Sequence, residues 1–325
     1  VKRPSAGGIV RIVVAVVLTA AVFWKSHPAE VWQALTRTRP GPILIAALLV
    51  LVDRTLMAYR WLVLLRPFSG PGGPRFGAVM RIFFVSTFVG TFLPASIGGD
   101  AVRAYALARA GVDAPTSVAS VLMDRMLGVL SVLIMAVVGL AFAGEMAREP
   151  IVLTALGATA LVCAATAGVV FSQRADALVQ QLVGWLPWEA GRAIVVRLLA
   201  AVQVYATRHG DLLNVLAGSI GVQCLRIVQA YVLGLALGIT QPLTTYVAFI
   251  PLILLVMLLP VTVNGLGTSQ LAFVWAFAQA GVPAALSFPQ SILFVALGIV
   301  GNLPGALLYA SGGMYARPRE GGGTS

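Results

Sequence analysis

Long apolar runs separated by short polar breaks dominate the chain, and their lengths set the reading. Runs of about 20 residues match the thickness of a bilayer's hydrocarbon core. They fall at Ile9–Trp24, Pro42–Leu65, Pro115–Ala143, Ile151–Phe171, Leu212–Leu237 and Ser287–Tyr309. The first follows Lys2, Arg3 and Arg11, lacks a small-x-small cleavage site and is followed by further spans. It therefore reads as a membrane helix with its N-terminus inside, not as a signal peptide. His27–Arg39 predicts a short amphipathic helix at the far surface. Between Arg174 and His209, arginines interleave with Leu, Val and Trp at helical spacing, which predicts amphipathic helices on the cytoplasmic face. Arg66 and Arg75 flank the loop SGPGGP, and Arg317 and Arg319 follow the last span, so the positive-inside rule places that loop and the C-terminus in the cytoplasm.

Two stretches break this pattern. In Phe92–Gly111, FLPASIGGDAVRAYALARAG, an apolar helix runs into Pro94, is interrupted over Ser96–Gly99 and restarts at Asp100. Proline lacks the backbone donor and paired glycines admit left-handed backbone, so a continuous helix is not expected. Irregular backbone at membrane depth is tolerated only inside protein or beside water. Phe76–Ala110 is accordingly read as a re-entrant hairpin. A second break, Pro260–Gly267, separates Leu243–Leu259 from Thr268–Ala280. Phe92-Leu-Pro, Gly98-Gly99 and Ala110-Gly111-Val112 correspond in order to Leu258-Leu-Pro, Gly265 with Gly267, and Ala280-Gly281-Val282. Upstream, Arg54-x3-Ala58-Tyr59 recurs as Arg226-x3-Ala230-Tyr231. One extra crossing separates the copies, so the second runs the opposite way. The expected fold is an all-α polytopic membrane protein with an inverted repeat and two re-entrant broken-helix hairpins. It forms a single membrane domain: repeat 1 over 41–143, a linking span and cytoplasmic helices over 144–210, repeat 2 over 211–310, and a disordered tail from 313.

Composition agrees. Hydrophobic residues make up 59% of the chain and charged residues 10%, with mean hydropathy +0.94; globular proteins carry about 25% charged residues. The net charge is +11, and Lys2 and Lys25 are the only lysines. Most arginines lie in or beside apolar segments, so the basic balance points to anionic lipid rather than nucleic acid. Cys163 and Cys224 sit inside apolar runs, and His27 and His209 are far apart, so no disulfide, metal site or other cofactor is expected.

Arg54, Arg125 and Arg226 each lie roughly 15 Å from a helix end at 1.5 Å per residue. Facing lipid, each costs on the order of 3 kcal/mol or more. Asp53, Asp100 and Asp124 supply some pairing, and Asp100 faces Arg103 one turn on. Arg60, beside Trp61, is expected to reach the interface. The arginines outnumber these acids, and guanidinium suits phosphate. Helix N-termini after Gly99 and Gly267 add backbone donors. The candidate substrate-binding set is therefore Arg54, Gly98, Gly99, Asp100, Arg103, Asp124, Arg125, Arg226, Asn264, Gly265 and Gly267. It suits an anionic phospholipid or a polyprenyl-phosphate-type lipid. The sequence leaves homo-oligomer formation open.

AYRWLVLL (Ala58–Leu65), FLPASIGGDAVRAYALARAG, SVLMDRMLGVL (Ser120–Leu130), LLPVTVNGLGTSQ (Leu258–Gln270) and NLPGALLY (Asn302–Tyr309) resemble the membrane domain of lysylphosphatidylglycerol synthases and their stand-alone flippase-like relatives. The likeness covers about Ile9 to Gly313. Its most specific part is Pro…Gly-Gly-Asp-x-x-Arg followed by an acid–Arg pair, where glutamate is commoner in the family and Asp124 stands here. The resemblance implies a bacterial cytoplasmic (inner) membrane protein that moves a lipid between leaflets. The synthases attach the amino acid with a large soluble C-terminal domain; the sequence ends soon after Gly313-Met314, so aminoacyl transfer is not carried over and the lipid stays open.

ATP-driven transport within the chain is excluded, because neither lysine ends a Walker A loop. The alternative is an integral-membrane transferase or phosphatase acting on a lipid-linked substrate. Such an enzyme wants a base or paired carboxylates. Glu30, Glu145, Glu149, Glu189 and Glu320 all lie outside the spans, leaving Asp100 as its sole candidate. The expectation is a transporter, not an enzyme.

Overall fold

The computed structural model describes residues 6–68, 76–91, 98–172, 181, 189–258 and 265–311. Among them every regular element is helical. In chain order these are α1 (Ala6–Lys25), α2 (Pro28–Thr36), α3 (Pro40–Leu65), α4 (Phe76–Thr91), α5 (Gly98–Arg109), α6 (Ala114–Leu140) and α7 (Pro150–Phe171). The second half holds α8 (Glu189–Gln203), α9 (His209–Ala236), α10 (Leu243–Leu258), α11 (Thr268–Ala278), α12 (Ala284–Val300) and α13 (Leu303–Ala310). Among the described residues, five units are long and apolar enough to cross a bilayer: α3, α6, α7, α9, and α12 taken with α13. The chain is an all-α polytopic membrane protein. Pro94, Ser96, Pro260, Asn264, the SGPGGP loop, Arg75, Arg174, Arg317 and Arg319 lie outside the described residues.

Helix ends follow local chemistry. Pro28, Pro115 and Pro150 sit in first turns, where a missing N–H costs nothing. The Asp113 carboxylate caps α6 by accepting from the Thr116 N–H. The repeated Ala-Gly-Val triplets do the same job twice. Gly111 (φ +96°) and Gly281 (φ +72°) turn left-handed just after α5 and α11. The Val112 and Val282 N–H groups then reach back to the Leu107 and Phe277 carbonyls, closing a Schellman motif in each copy. The last span departs from expectation: it divides at Gly301-Asn302, where Pro304 in the first turn of α13 cannot extend the α12 hydrogen-bond ladder.

α4 and α5 rise only about 24 and 18 Å, and α10 and α11 about 24 and 17 Å, at 1.5 Å per residue. None matches the ~30 Å hydrocarbon core. A Cβ on Gly90 would stand 2.6 Å from the Gly99 Cα, so α4 and α5 come together beside their break. Further back, Phe83 lies against Arg103, the register of an antiparallel pair. The second pair is antiparallel too: Gly265 touches Met257, while Phe277 stacks edge-on against Phe249 and Tyr246 further back.

α3 and α9 form the central pair. The Arg39 N–H donates to the Ala236 carbonyl, Asp53 meets Arg226, Leu56 faces Gly221 and Arg60 faces Gly218. Residue numbers rise along one helix as they fall along the other, so the two run antiparallel. Around them the packing repeats. α3 touches α4 as α9 touches α10, α5 touches α6 as α11 touches α12, and α6 rests on α9 as α12 rests on α3. α6 packs on α10, and correspondingly α13 packs on α4. On the outside, α8 exposes Ile194 and Val196 between exposed Arg192 and Arg197, while Ala201 and Val202 join the cluster around Val63 and Val170.

The last two contacts are made backbone to backbone. A Cβ on Gly139 of α6 would fall 2.7 Å from the Val247 carbonyl oxygen of α10. One on Gly305 of α13 would overlap the Phe84 carbonyl of α4. Small residues let membrane helices approach this closely. Gly139→Ala and Gly305→Ala should each lower the thermal midpoint in detergent, consistent with an overpacking cost of about 1–3 kcal/mol. Gly157→Ala on α7, where nothing stands within 4 Å, should not. Equal behaviour of all three would contradict the close approach.

Candidate functional site

The buried charges fall into two networks at the α3–α9 crossing. In the first, Asp53, 3% exposed, accepts from Arg54 NH1 at 2.8 Å and lies 3.3 Å from Arg226 Nε. Arg54 also donates through Nε to Asn302 Oδ1 and through NH2 to the Gly298 carbonyl, both at 3.0 Å. Asn302 in turn donates to Thr91 Oγ1 at 3.0 Å. The break between α12 and α13 thus presents one amide to both α3 and the end of α4.

In the second network, Asp124 accepts from Arg60 at 2.9 Å and from Arg103 at 3.1 Å. Arg103 also lies 3.3 Å from Asp100, which accepts from Arg125 Nε. The Arg103 guanidinium stands 5.0 Å from the Trp61 ring centre and 5.7 Å from that of Phe83. Trp61 is held in turn by its indole N–H on Ser120 Oγ. Arg103 is 4% exposed, so its charge is screened by two carboxylates and two aromatic faces rather than by water.

Five arginines meet three aspartates here, and every aspartate is shared between two arginines. Five minus three leaves two positive charges. Arg103 NH2 and Asp53 Oδ1 are buried without a hydrogen bond of good geometry. Removing charges from water costs several kcal/mol per ion, which pairing offsets only when the geometry is good. The surplus calls for water or an anion.

A cavity of about 330 Å³ lies against both networks. Asp53, Arg54, Asp100, Arg103, Arg125 and Arg226 border it, with neutral donors and acceptors from Ser86, Thr87, Thr91, Gln229 and Asn302. The lining also includes the apolar side chains of Val50, Leu254, Met257, Phe294, Val295 and Ile299. Two of the lining residues are exposed, Ile299 at 37% and the Arg125 side chain at 51%.

Of the sequence-derived set, Arg54, Gly99, Asp100, Arg103, Arg125 and Arg226 converge on this cavity. Gly98 opens α5 beside it, and Asp124 lies one layer behind, pairing Arg103. Gly265 and Gly267 are not among the lining residues, and the Gly267 N–H is satisfied by the Gln270 side chain. Asn264 lies outside the described residues. The expectation for Arg60 is corrected: it is 2% exposed and donates to both the carbonyl and the carboxylate of Asp124. Gly218 and Gly128 leave room for it, Gly218 so closely that a Cβ would stand 2.9 Å from Arg60 Cγ. Sequence reasoning missed Asn302, Gln229 and Thr91. The signal for Asn302 was its place just before Leu-Pro-Gly, inside what read as an unbroken span.

Residues 8–305 match the family model for the lysylphosphatidylglycerol synthase TM region, and the chain belongs to that family. It is also similar to a UPF0104 membrane protein of Methanothermobacter thermautotrophicus, at 23% identity over 304 residues, covering 87% of this chain and 86% of the relative.

Asp124→Asn leaves Arg60 and Arg103 buried with one fewer carboxylate between them. Breaking a buried pair in this way costs about 3–5 kcal/mol. Thermal unfolding in detergent should show a much larger fall for Asp124→Asn than for Arg125→Gln, whose side chain is half exposed. Equal midpoints would contradict a structural role for Asp124.

Proposed function

We propose that the protein moves an anionic lipid phosphate between the leaflets of the cytoplasmic membrane, holding the headgroup in the cavity at the α3–α9 crossing. The observation that carries this reading is one chamber with two kinds of lining. Four arginines and two aspartates border it together with aliphatic and aromatic side chains. A phosphate on hydrocarbon tails satisfies both kinds of group at once, whereas a small soluble anion leaves the apolar lining unused.

The packing supports a transport architecture. α3–α6 and α9–α13 act as two inverted copies, with α4–α5 and α10–α11 as re-entrant hairpins entering from opposite faces. Secondary transporters commonly place substrate between such repeats, near the midplane, on broken helices. With α1 as a sixth crossing beside the five long units, both termini would lie in the cytoplasm. Headgroup oxygens would meet the guanidiniums of Arg226 and Arg125, while tails leave past Ile299. Arg54 is already committed to Asp53, Asn302 and Gly298, so it shapes the wall. The bond from Asn302 to Thr91 ties α13's start to the first hairpin, and this link would have to give when one copy rocks against the other.

The test is reconstitution into liposomes containing tail-labelled phosphatidic acid or phosphatidylglycerol, following leaflet accessibility with a membrane-impermeant quencher. At least one lipid should cross faster than in protein-free vesicles. Arg226→Gln and Arg125→Gln should each slow it about ten- to hundredfold, as expected for losing a charged hydrogen bond of roughly 1.5–3 kcal/mol. Mass spectrometry of the recovered lipid should show no new species; a cleaved or transferred headgroup would instead establish the transferase or phosphatase alternative. Unchanged leaflet distribution for both lipids would overturn the transport reading.

A further inference from the structure

We infer from the charge balance that the site selects a dianionic phosphate, a phosphomonoester on a lipid tail, over a phosphodiester headgroup. This rests on the transport reading above and specifies its substrate class.

The groups facing the cavity come from four helices. α3 supplies Asp53 and Arg54, α5 Asp100 and Arg103, α6 Arg125, and α9 Arg226. The lining residues of α4, α10 and α12 are all uncharged. Four positive charges against two negative leave two. Arg60 and Asp124 directly behind cancel, so the deeper layer does not alter the sum. All three aspartates are engaged by two guanidiniums apiece.

A phosphodiester carries one negative charge and would leave one cation uncompensated beside apolar side chains. A phosphomonoester carries between 1.5 and 2 negative charges near neutrality, its second ionisation falling near pH 6, and has three acceptor oxygens. Where guanidinium and carboxylate already alternate, the entering dianion extends the alternation beside Arg226, which shares Asp53 with the deeper Arg54.

The experiment compares tail-labelled phosphatidic acid, a monoester, with tail-labelled phosphatidylglycerol, a diester, in the same proteoliposomes. At about pH 7.5 the monoester should cross roughly tenfold faster. Between about pH 7.5 and about pH 5.5 its rate should fall about fourfold, tracking the dianion of a group ionising near 6, while the diester rate stays flat. Arg226→Gln removes one surplus charge and leaves Asp53 held by Arg54; it should lower the monoester rate more than the diester rate and flatten the pH profile. Should that variant fail to fold, Arg125→Gln, half exposed, gives the same reading. Equal rates with no pH response overturn the selectivity and leave transport standing. No movement of either lipid overturns both. Uptake of radiolabelled inorganic phosphate into the vesicle lumen would show that the dianion need not carry a tail, and would overturn the lipid assignment.

Discussion

Charge that cannot be cancelled inside its own fold is the constraint on which the remainder rests. Three aspartates serve five arginines, and each carboxylate bridges two guanidiniums. Sharing keeps every cation beside an anion while leaving the sum positive. In hydrocarbon such a surplus is untenable. The bundle therefore keeps a hollow where the two networks meet, and that hollow is where α3 and α9 cross. The remaining helices can be read as what holds it open. Trp61 and Phe83 close it off beneath Arg103, and the Asn302 amide pins Arg54 to its wall.

The same hollow gathers residues from the ends of the shorter helices. α4 ends at Thr91 and α5 begins at Gly98, bringing Thr87, Thr91, Gly99 and Asp100 to the cavity. α10 delivers Leu254 and Met257. Gly139 and Gly305 serve this geometry from outside, since backbone contact of α6 with α10 and of α13 with α4 draws each half across the other.

Much of this was legible in the sequence. The long apolar spans and the pairing of Asp100 with Arg103 follow from hydrophobic run length and helical spacing. The paired Ala-Gly-Val triplets looked like a weak repeat signal and proved to be one capping device used twice. What could not be read depended on contacts between distant segments. Arg60 stands near the end of a span beside a tryptophan, a pattern typical of interfacial residues. Its burial is decided by Asp124, 64 positions away, and by the space left at Gly218. Asn302 is half legible: its place before Leu-Pro-Gly marks a break in the span, but nothing local names its partners, 248 and 211 positions distant. Gly265 and Gly267 show the converse. Their break resembles the first, but the Gln270 side chain takes the Gly267 donor, so similarity of backbone does not bring equivalent binding groups.

That difference between the halves bears on mechanism. From Ile227 to Ala316 the sequence has no charged residue, and the cavity residues from α10 and α12 are correspondingly apolar. The charged lining groups come from the first half and Arg226, and apart from Val50 the large apolar lining side chains come from the second half. A wholly charged lining would exclude the tails. A wholly apolar one would exclude the headgroup. On the proposed transport reading, a chamber lined by both kinds of group takes an amphiphile whole, so the charged group would not enter hydrocarbon unaccompanied.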